Sequence, residues 1–349
     1  MSTKPGLAHR DALADEPATE PKAGSRMHTR LYREGVCVLQ DFAVADISEH
    51  LADVGSVVWL DLCRPTPDDF ALARSEFGLH ELAVEDALHD SERPKLDRYA
   101  THSFLSAYAV AMDAQATTMK VSEIAVFITD RALITVRKDD AFDLTPVLAN
   151  WDASPDLAGH GVSFLLYGLL DHLVDGHFQA VQQLDEGIEE LEDLLFDERR
   201  SQIRVVQRRS FALRKNLVVL RRVVLPMREV LNTLLRRDLS IVDEAMAPYY
   251  QDVYDHVLRA TEWTESLRDL VATTAETNLT IQANRMNMIM KKVTSWAAII
   301  AVPTAITGFY GQNLPYPGSG TAWGVVASTG LIAILSTLLY VTFKRKDWL

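Results

Sequence analysis

The chain has 349 residues, long enough for one sizeable soluble domain and a membrane part, with 48 Asp and Glu against 35 Lys and Arg and a formal net charge of −13. That acidity argues against nucleic acid as a partner. Cys37 and Cys63 have no close metal spacing and give no disulfide framework. There is no Ser-His-Asp set, Cys-His pair, P-loop or glycine-rich nucleotide loop, so neither enzyme chemistry nor ATP-driven transport is supported.

Residues 1–30 are rich in Ala, Pro, charged and small residues and lack an apolar core. They read as a disordered tail, not a signal peptide. Residues 31–160 read as a cytosolic α/β domain, a mixed sheet with flanking helices. Strand-like runs lie at 36–40, 56–61, 102–112, 122–129 and 131–138, the last two joined by a turn at Thr129-Asp130-Arg131. Helices are expected over Pro67–Phe77, with Pro at its start, and near His80–Leu88.

Residues 161–248 read as two long antiparallel helices. The first carries Asp185, Glu186, Glu189, Glu190 and Asp193, with like charges one turn apart. The second carries Arg199, Arg200, Arg204, Arg208, Arg209, Arg214, Lys215, Arg221 and Arg222, which offset them. Charged, solvated faces explain this pattern better than a metal-collecting surface does. His172 and His177 do not share a helix face, so no zinc site is readable.

A stalk helix is expected over 249–310, because no Pro or Gly interrupts Gln251 to Pro303. It would be roughly 90 Å long, far more than one bilayer crossing requires. From Val293 to Tyr310 it is apolar or small, without a charge. An uncharged loop, 311–321, leads to a second apolar run over 322–343 and a basic tail over 344–349. Arg285, Lys291 and Lys292 precede the first span, and Lys344, Arg345 and Lys346 follow the second. By the positive-inside rule both ends face the cytoplasm. Trp296, Trp323 and Trp348 stand near span ends, as interfacial anchors do.

Thr273, Thr277, Thr280, Asn284 and Asn287 follow one another at helical spacing. The stripe continues through Met290, Val293 or Thr294, Ala297, Ala301 and Thr304, without Leu or Ile. It fits a water-filled conduit lined by neutral oxygens, or a close helix–helix seam. The Asn and Thr residues favour the conduit. Two spans cannot enclose a channel alone, so a conduit requires a homo-oligomer.

Several motifs together carry a resemblance: VVWLDL at 57–62, LHELAVEDALHDSERPKLDRY at 79–99, LRKNLVVLRRVVLPMREVL at 213–231, YYQDVYDH at 249–256, GFYGQN at 308–313 and KRKDWL at 344–349. The chain resembles the CorA family (MIT superfamily) of divalent-cation transporters. The resemblance implies a homopentameric funnel whose first membrane helix lines the pore. Its outer mouth would be Gly311, Gln312 and Asn313, with Gln312 standing where the family has Met. Asn287, Met290, Val293, Ala297, Ala301 and Thr304 would line the pore. Glu85, Asp86, Asp175, Asp252 and Glu276 would hold regulatory Mg²⁺, which locks the closed state.

The expected function is Mg²⁺ uptake driven by the membrane potential, with Co²⁺ or Ni²⁺ as secondary ions and no organic cofactor. The expected partners are divalent cations, the lipid bilayer of the inner or plasma membrane, and further copies of the chain. A proton-coupled Zn²⁺ carrier and a non-conducting, membrane-anchored cation-sensing scaffold are the alternatives.

Overall fold

The computed structural model describes residues 26–89, 93–113, 118–196, 203–236, 240–312, 318 and 320–349. They fall into two compact units. One runs up to Gly187 and resumes over Ala212–Leu267; the other takes Ile188–Phe211 and Arg268–Leu349.

The first unit is built on a seven-stranded sheet in the order β2-β1-β3-β7-β6-β5-β4. The strands are β1 (Arg26–Arg33), β2 (Val36–Gln40), β3 (Ser56–Cys63), β4 (Lys95–Arg98), β5 (Ser103–Met112), β6 (Met119–Ile128) and β7 (Ala132–Arg137). Only β3 and β7 pair in parallel; all other neighbours are antiparallel. The expected hairpin joins β6 to β7, closed by the Thr129 amide on the Ala132 carbonyl at 2.9 Å.

Two strands depart from the sequence reading. β1 begins at Arg26, so residues 26–30 belong to the sheet and not to a tail; residues 1–25 lie outside the described residues. β4, Lys-Leu-Asp-Arg, is a polar edge strand without the apolar alternation that marks a strand.

One face of the sheet is covered by α1 (Ile47–His50), α2 (Pro67–Phe77) and α3 (Glu81–Leu88). Ile47, Phe70, Ala73, Ala83 and Ala87 join Leu60, Phe104, Phe127 and Ile134 in one buried cluster. Sequence sets α2 sharply. Thr66 and Asp69 form a reciprocal capping box, Pro67 opens the helix, and Gly78 closes it at φ 63°. α4 (Thr145–Ala153) brings Trp151 against Trp59 edge-on, with ring centroids 5.5 Å apart, and α5 (Pro155–Ala158) follows. The one charged pair across the β3–β7 join is fully engaged: Asp61, buried, accepts from Thr135 and from two nitrogens of Arg137.

Three long helices follow: α6 (Val162–Phe196), α7 (Ile203–Leu234) and α8 (Ala247–Tyr310). In the first unit the Tyr250 hydroxyl donates to the Ser163 carbonyl at 2.8 Å and Phe178 meets Trp263 edge-on. In the second, the Thr274 hydroxyl donates to Glu192 at 3.2 Å. These contacts rise together along both helices, so α6 and α8 run parallel. α6 and α7 are antiparallel, with Gly187 beside Leu213 and Glu190 beside Arg209. Arg209 meets Glu190 at 2.9 Å, one of the acids that the basic helix was expected to offset.

The buried seam of α8 steps through Tyr250, Val253, Val257, Ala260, Thr264, Leu267, Val271 and Thr274, at spacings of three and four. It ends there, and residues 283–294 are exposed throughout. Pro248 sits in the first turn of α8, where a missing N–H costs nothing. α9 (Ala322–Arg345) is the second helix long and apolar enough to cross a membrane.

Candidate cation pathway and regulatory carboxylates

Within α8 the apolar segment has two distinct faces. Ser295 is buried, and Ala298, Ile299, Val302, Pro303, Ile306 and Tyr310 are half-buried. The expected lining residues Asn287, Met290, Val293, Ala297, Ala301 and Thr304 are all exposed, Met290 at 56% and Val293 at 60%. In the single chain this stripe is uncovered, a run of exposed residues beside the buried face.

The hydroxyls of Thr273, Thr280 and Thr304 each donate to the carbonyl one turn back. Their protons are therefore committed inward, and each presents oxygen lone pairs outward. That suits the water shell of a cation better than a freely rotating hydroxyl does. Thr273 and Thr280 are exposed, whereas Thr277, read into the same stripe, is half-buried. Glu276 is exposed among them, between Thr273 and Thr280 on the helix surface.

At the far end, the Gly311 amide bonds the Thr307 carbonyl at 2.9 Å and the Gln312 amide bonds Phe309 at 3.3 Å. Both residues are exposed. Gly311 is not among the glycines with positive φ. A side chain there would place its Cβ 3.0 Å from the Thr307 carbonyl. Asn313, with Pro315 and Pro317, lies outside the described residues.

The carboxylates expected to hold a regulatory cation divide into two groups. On α3, Glu85 is exposed, and Asp86 binds Lys95 Nζ at 2.6 Å. Lys95 also binds Asp97 at 2.9 Å. Asp86 is therefore compensated by Lys95 within its own chain. On α6 and α8, Asp175 and Asp252 are exposed around a residue the sequence reading passed over, Asp171.

The Asp171 carboxyl is half-buried, and its pKa is raised, first by burial and then by Asp175 and Asp252, with His256 opposing. The neighbouring Tyr167 hydroxyl is pushed up to about 12 by burial and by the charges of Asp171 and Asp252. The signal for Asp171 was its place one turn before Asp175, a like-charge pair on one helix face. Among the described residues, no three His, Cys, Asp or Glu side chains form a metal-holding group within one chain.

Beside the sheet-based domain the chain has two helices long and apolar enough to cross a membrane, α8 and α9. Comparison with known proteins gives the class. The family model described as CorA-like Mg²⁺ transporter protein matches residues 54–345, and the chain belongs to that family of divalent-cation transporters, which are not enzymes. The cobalt/magnesium transport protein CorA of Thermotoga maritima is 27% identical over 341 residues, covering 93% of this chain and 96% of that one. The zinc transport protein ZntB of Yersinia pestis is 24% identical over 295 residues, covering 83% and 88%. Among solved structures, the CorA magnesium transporter of Methanocaldococcus jannaschii shares the fold at a TM-score of 0.71. It has 20% identity and covers 95% of this chain and all of that one.

Proposed function

We propose that the chain forms a homopentameric Mg²⁺ channel of the cell membrane, with Co²⁺ as a secondary ion, driven by an inside-negative potential and closed by cytosolic Mg²⁺. The observation that carries this reading is the uncovered stripe from Asn287 to Thr304, opposite a covered face on the same helix. A five-fold arrangement of that stripe gives a narrow lumen of amide, hydroxyl and small apolar surface. Mg²⁺ sheds water reluctantly, and such a wall can pass it with its water shell retained. Met290, the one long apolar side chain on the cytosolic half of the stripe, forms the constriction that gates by dewetting. Gly311, Gln312 and Asn313 form the outer mouth.

Both termini face the cytoplasm, supported by Arg285, Lys291, Lys292, Lys344, Arg345 and Lys346 at the same two helix ends. The regulatory cation bridges Glu85 and Asp86 of one copy to Asp175 and Asp252 of the next. Carboxylates that repel across the interface are joined by the ion, and its loss shifts the population toward the open state. Glu276 contributes a carboxylate on the pore stripe itself.

A Zn²⁺ carrier coupled to protons is the second reading, favoured by Gln312 in place of Met and by the likeness to a zinc transport protein. Ion-flux assays in proteoliposomes separate the two. The channel reading expects potential-driven Mg²⁺ uptake that is indifferent to a pH gradient and collapses in Asn313→Ala. Zn²⁺ uptake that needs the gradient, with no Mg²⁺ uptake at any potential, supports the carrier.

A further inference from the structure

The terminal motif KRKDWL is built into a specific reversal. Asp347 takes the left-handed conformation at φ 54°. The Trp348 amide then bonds the Phe343 carbonyl at 3.0 Å, and the Asp347 amide bonds Lys344 at 3.3 Å. That pair of bonds is a Schellman cap, made here without glycine; a short polar side chain tolerates the position. The reversal folds Trp348 back onto α9, where its ring stacks on Phe343 at 5.7 Å and 8°. The ring also lies under the first span: Lys291 Nζ stands 6.0 Å from its centroid. Between them is a cavity of about 510 Å³, walled by Trp348 and by α8 residues that include Asn287, Met290 and Thr294.

Lys291 directly follows Met290, the residue assigned to the constriction. An unrestrained lysine stem is long enough to swing its ammonium toward the lumen. Repeated round an oligomer, that would set a ring of positive charge in a cation pathway. The face of an indole attracts a cation, and here it draws the ammonium to the α9 side.

We propose that Trp348 is a charge-positioning residue of the cation pathway, holding the Lys291 ammonium against the end of α9 and out of the lumen lined by Asn287 and Met290. The inference rests on the pore reading above. It also gives the terminal tryptophan a role beyond anchoring at the interface.

The test is Mg²⁺ uptake by the full-length protein in proteoliposomes under an inside-negative potential. Trp348→Ala should lower flux by about three- to tenfold, through the freed charge. Trp348→Phe, with a weaker ring quadrupole, should fall between. Raising the ionic strength with an impermeant salt should shrink the loss, because the effect is electrostatic. Adding Lys291→Met to Trp348→Ala should restore flux to within about twofold of wild type, since the offending charge is gone. A purely structural tryptophan predicts the opposite, a double variant as impaired as Trp348→Ala or worse, and that result overturns the proposal.

Wild-type flux that is indifferent to Trp348→Ala overturns the proposal alone. A wild type that passes no cation overturns the pore reading and this proposal with it. Should Trp348→Ala fail to assemble, ¹⁹F NMR of 5-fluorotryptophan-labelled protein decides. The resonance assigned by its loss in Trp348→Phe should shift in Lys291→Met, and an unmoved resonance contradicts the contact.

Discussion

His177 is fully buried on α6, and its Nε2–H donates to the Tyr108 carbonyl at 2.7 Å. Burial pushes its pKa down to about 4. Because the folded value lies below the unfolded one near 6.5, the unfolded chain binds the proton first, and stability falls as pH drops from about 6.5 toward 4. The loss expected at pH 5 is about 2 kcal/mol. Melting the purified protein at pH 7.5 and pH 5 checks this, with His177→Gln expected to flatten the dependence. At α3, Lys95 competes with any cation for Asp86. Lys95→Met should therefore lower the cytosolic Mg²⁺ concentration for half-inhibition, by about threefold if the pair contributes as exposed pairs do. An unchanged inhibition curve would remove Asp86 from the regulatory set. Neither Lys95 nor Asp171 was legible in the sequence as part of a site. Lys95 lies nine positions from Asp86 and reaches it through β4, a strand with no sequence signature. Asp171 had only its place one turn before Asp175 to mark it, and its charged surroundings are completed by Asp252 on α8.

Elements whose ends are written in side chains were the most legible. Thr66, Pro67, Asp69 and Gly78 mark α2 at both ends, and its expected and observed limits coincide. The first five residues of β1, 26–30, were read with the polar tail because Met27 is their one apolar residue, and their place in the sheet comes from pairing with β3. The approach of α6 to the sheet depends on Gly168, where a Cβ would stand 2.6 Å from the Trp151 ring nitrogen. Trp151 is fully buried and packed edge-on against Trp59, so it has little room to yield. Gly168→Ala should destabilise the sheet domain by about 1–3 kcal/mol, read as a lowered melting temperature. The same substitution at Gly330 on α9, where a Cβ meets open space, should leave it unchanged. The turn that carries Trp348 back to Lys291 was hidden for a related reason. A left-handed cap is read from glycine, and here the position is Asp347.

For the molecule as a whole, the sequence carried the division of α8 in its composition. Buried apolar spacing stops at Thr274, and a stripe of Asn, Thr, Met and Ala continues where Leu and Ile would serve a lipid-facing helix. A single chain leaves that stripe uncovered while the opposite face of the helix is buried or half-buried, and the proposed assembly of copies would give the stripe its neighbours. The proposed outer mouth at GFYGQN rests on resemblance, since a glycine and two amides in an uncharged loop have no local pattern that marks a filter.

The most direct test of the pathway is cysteine scanning along α8, in a chain whose Cys37 and Cys63 are replaced by Ser, with Mg²⁺ flux measured before and after a membrane-impermeant thiol reagent. Cysteines at 297, 301 and 304 should be modified and block flux, with bound Mg²⁺ slowing the reaction, while cysteines at 298, 302 and 306 should stay unreactive. Block from the covered face, or free flux with the stripe fully modified, would contradict a cation pathway along α8.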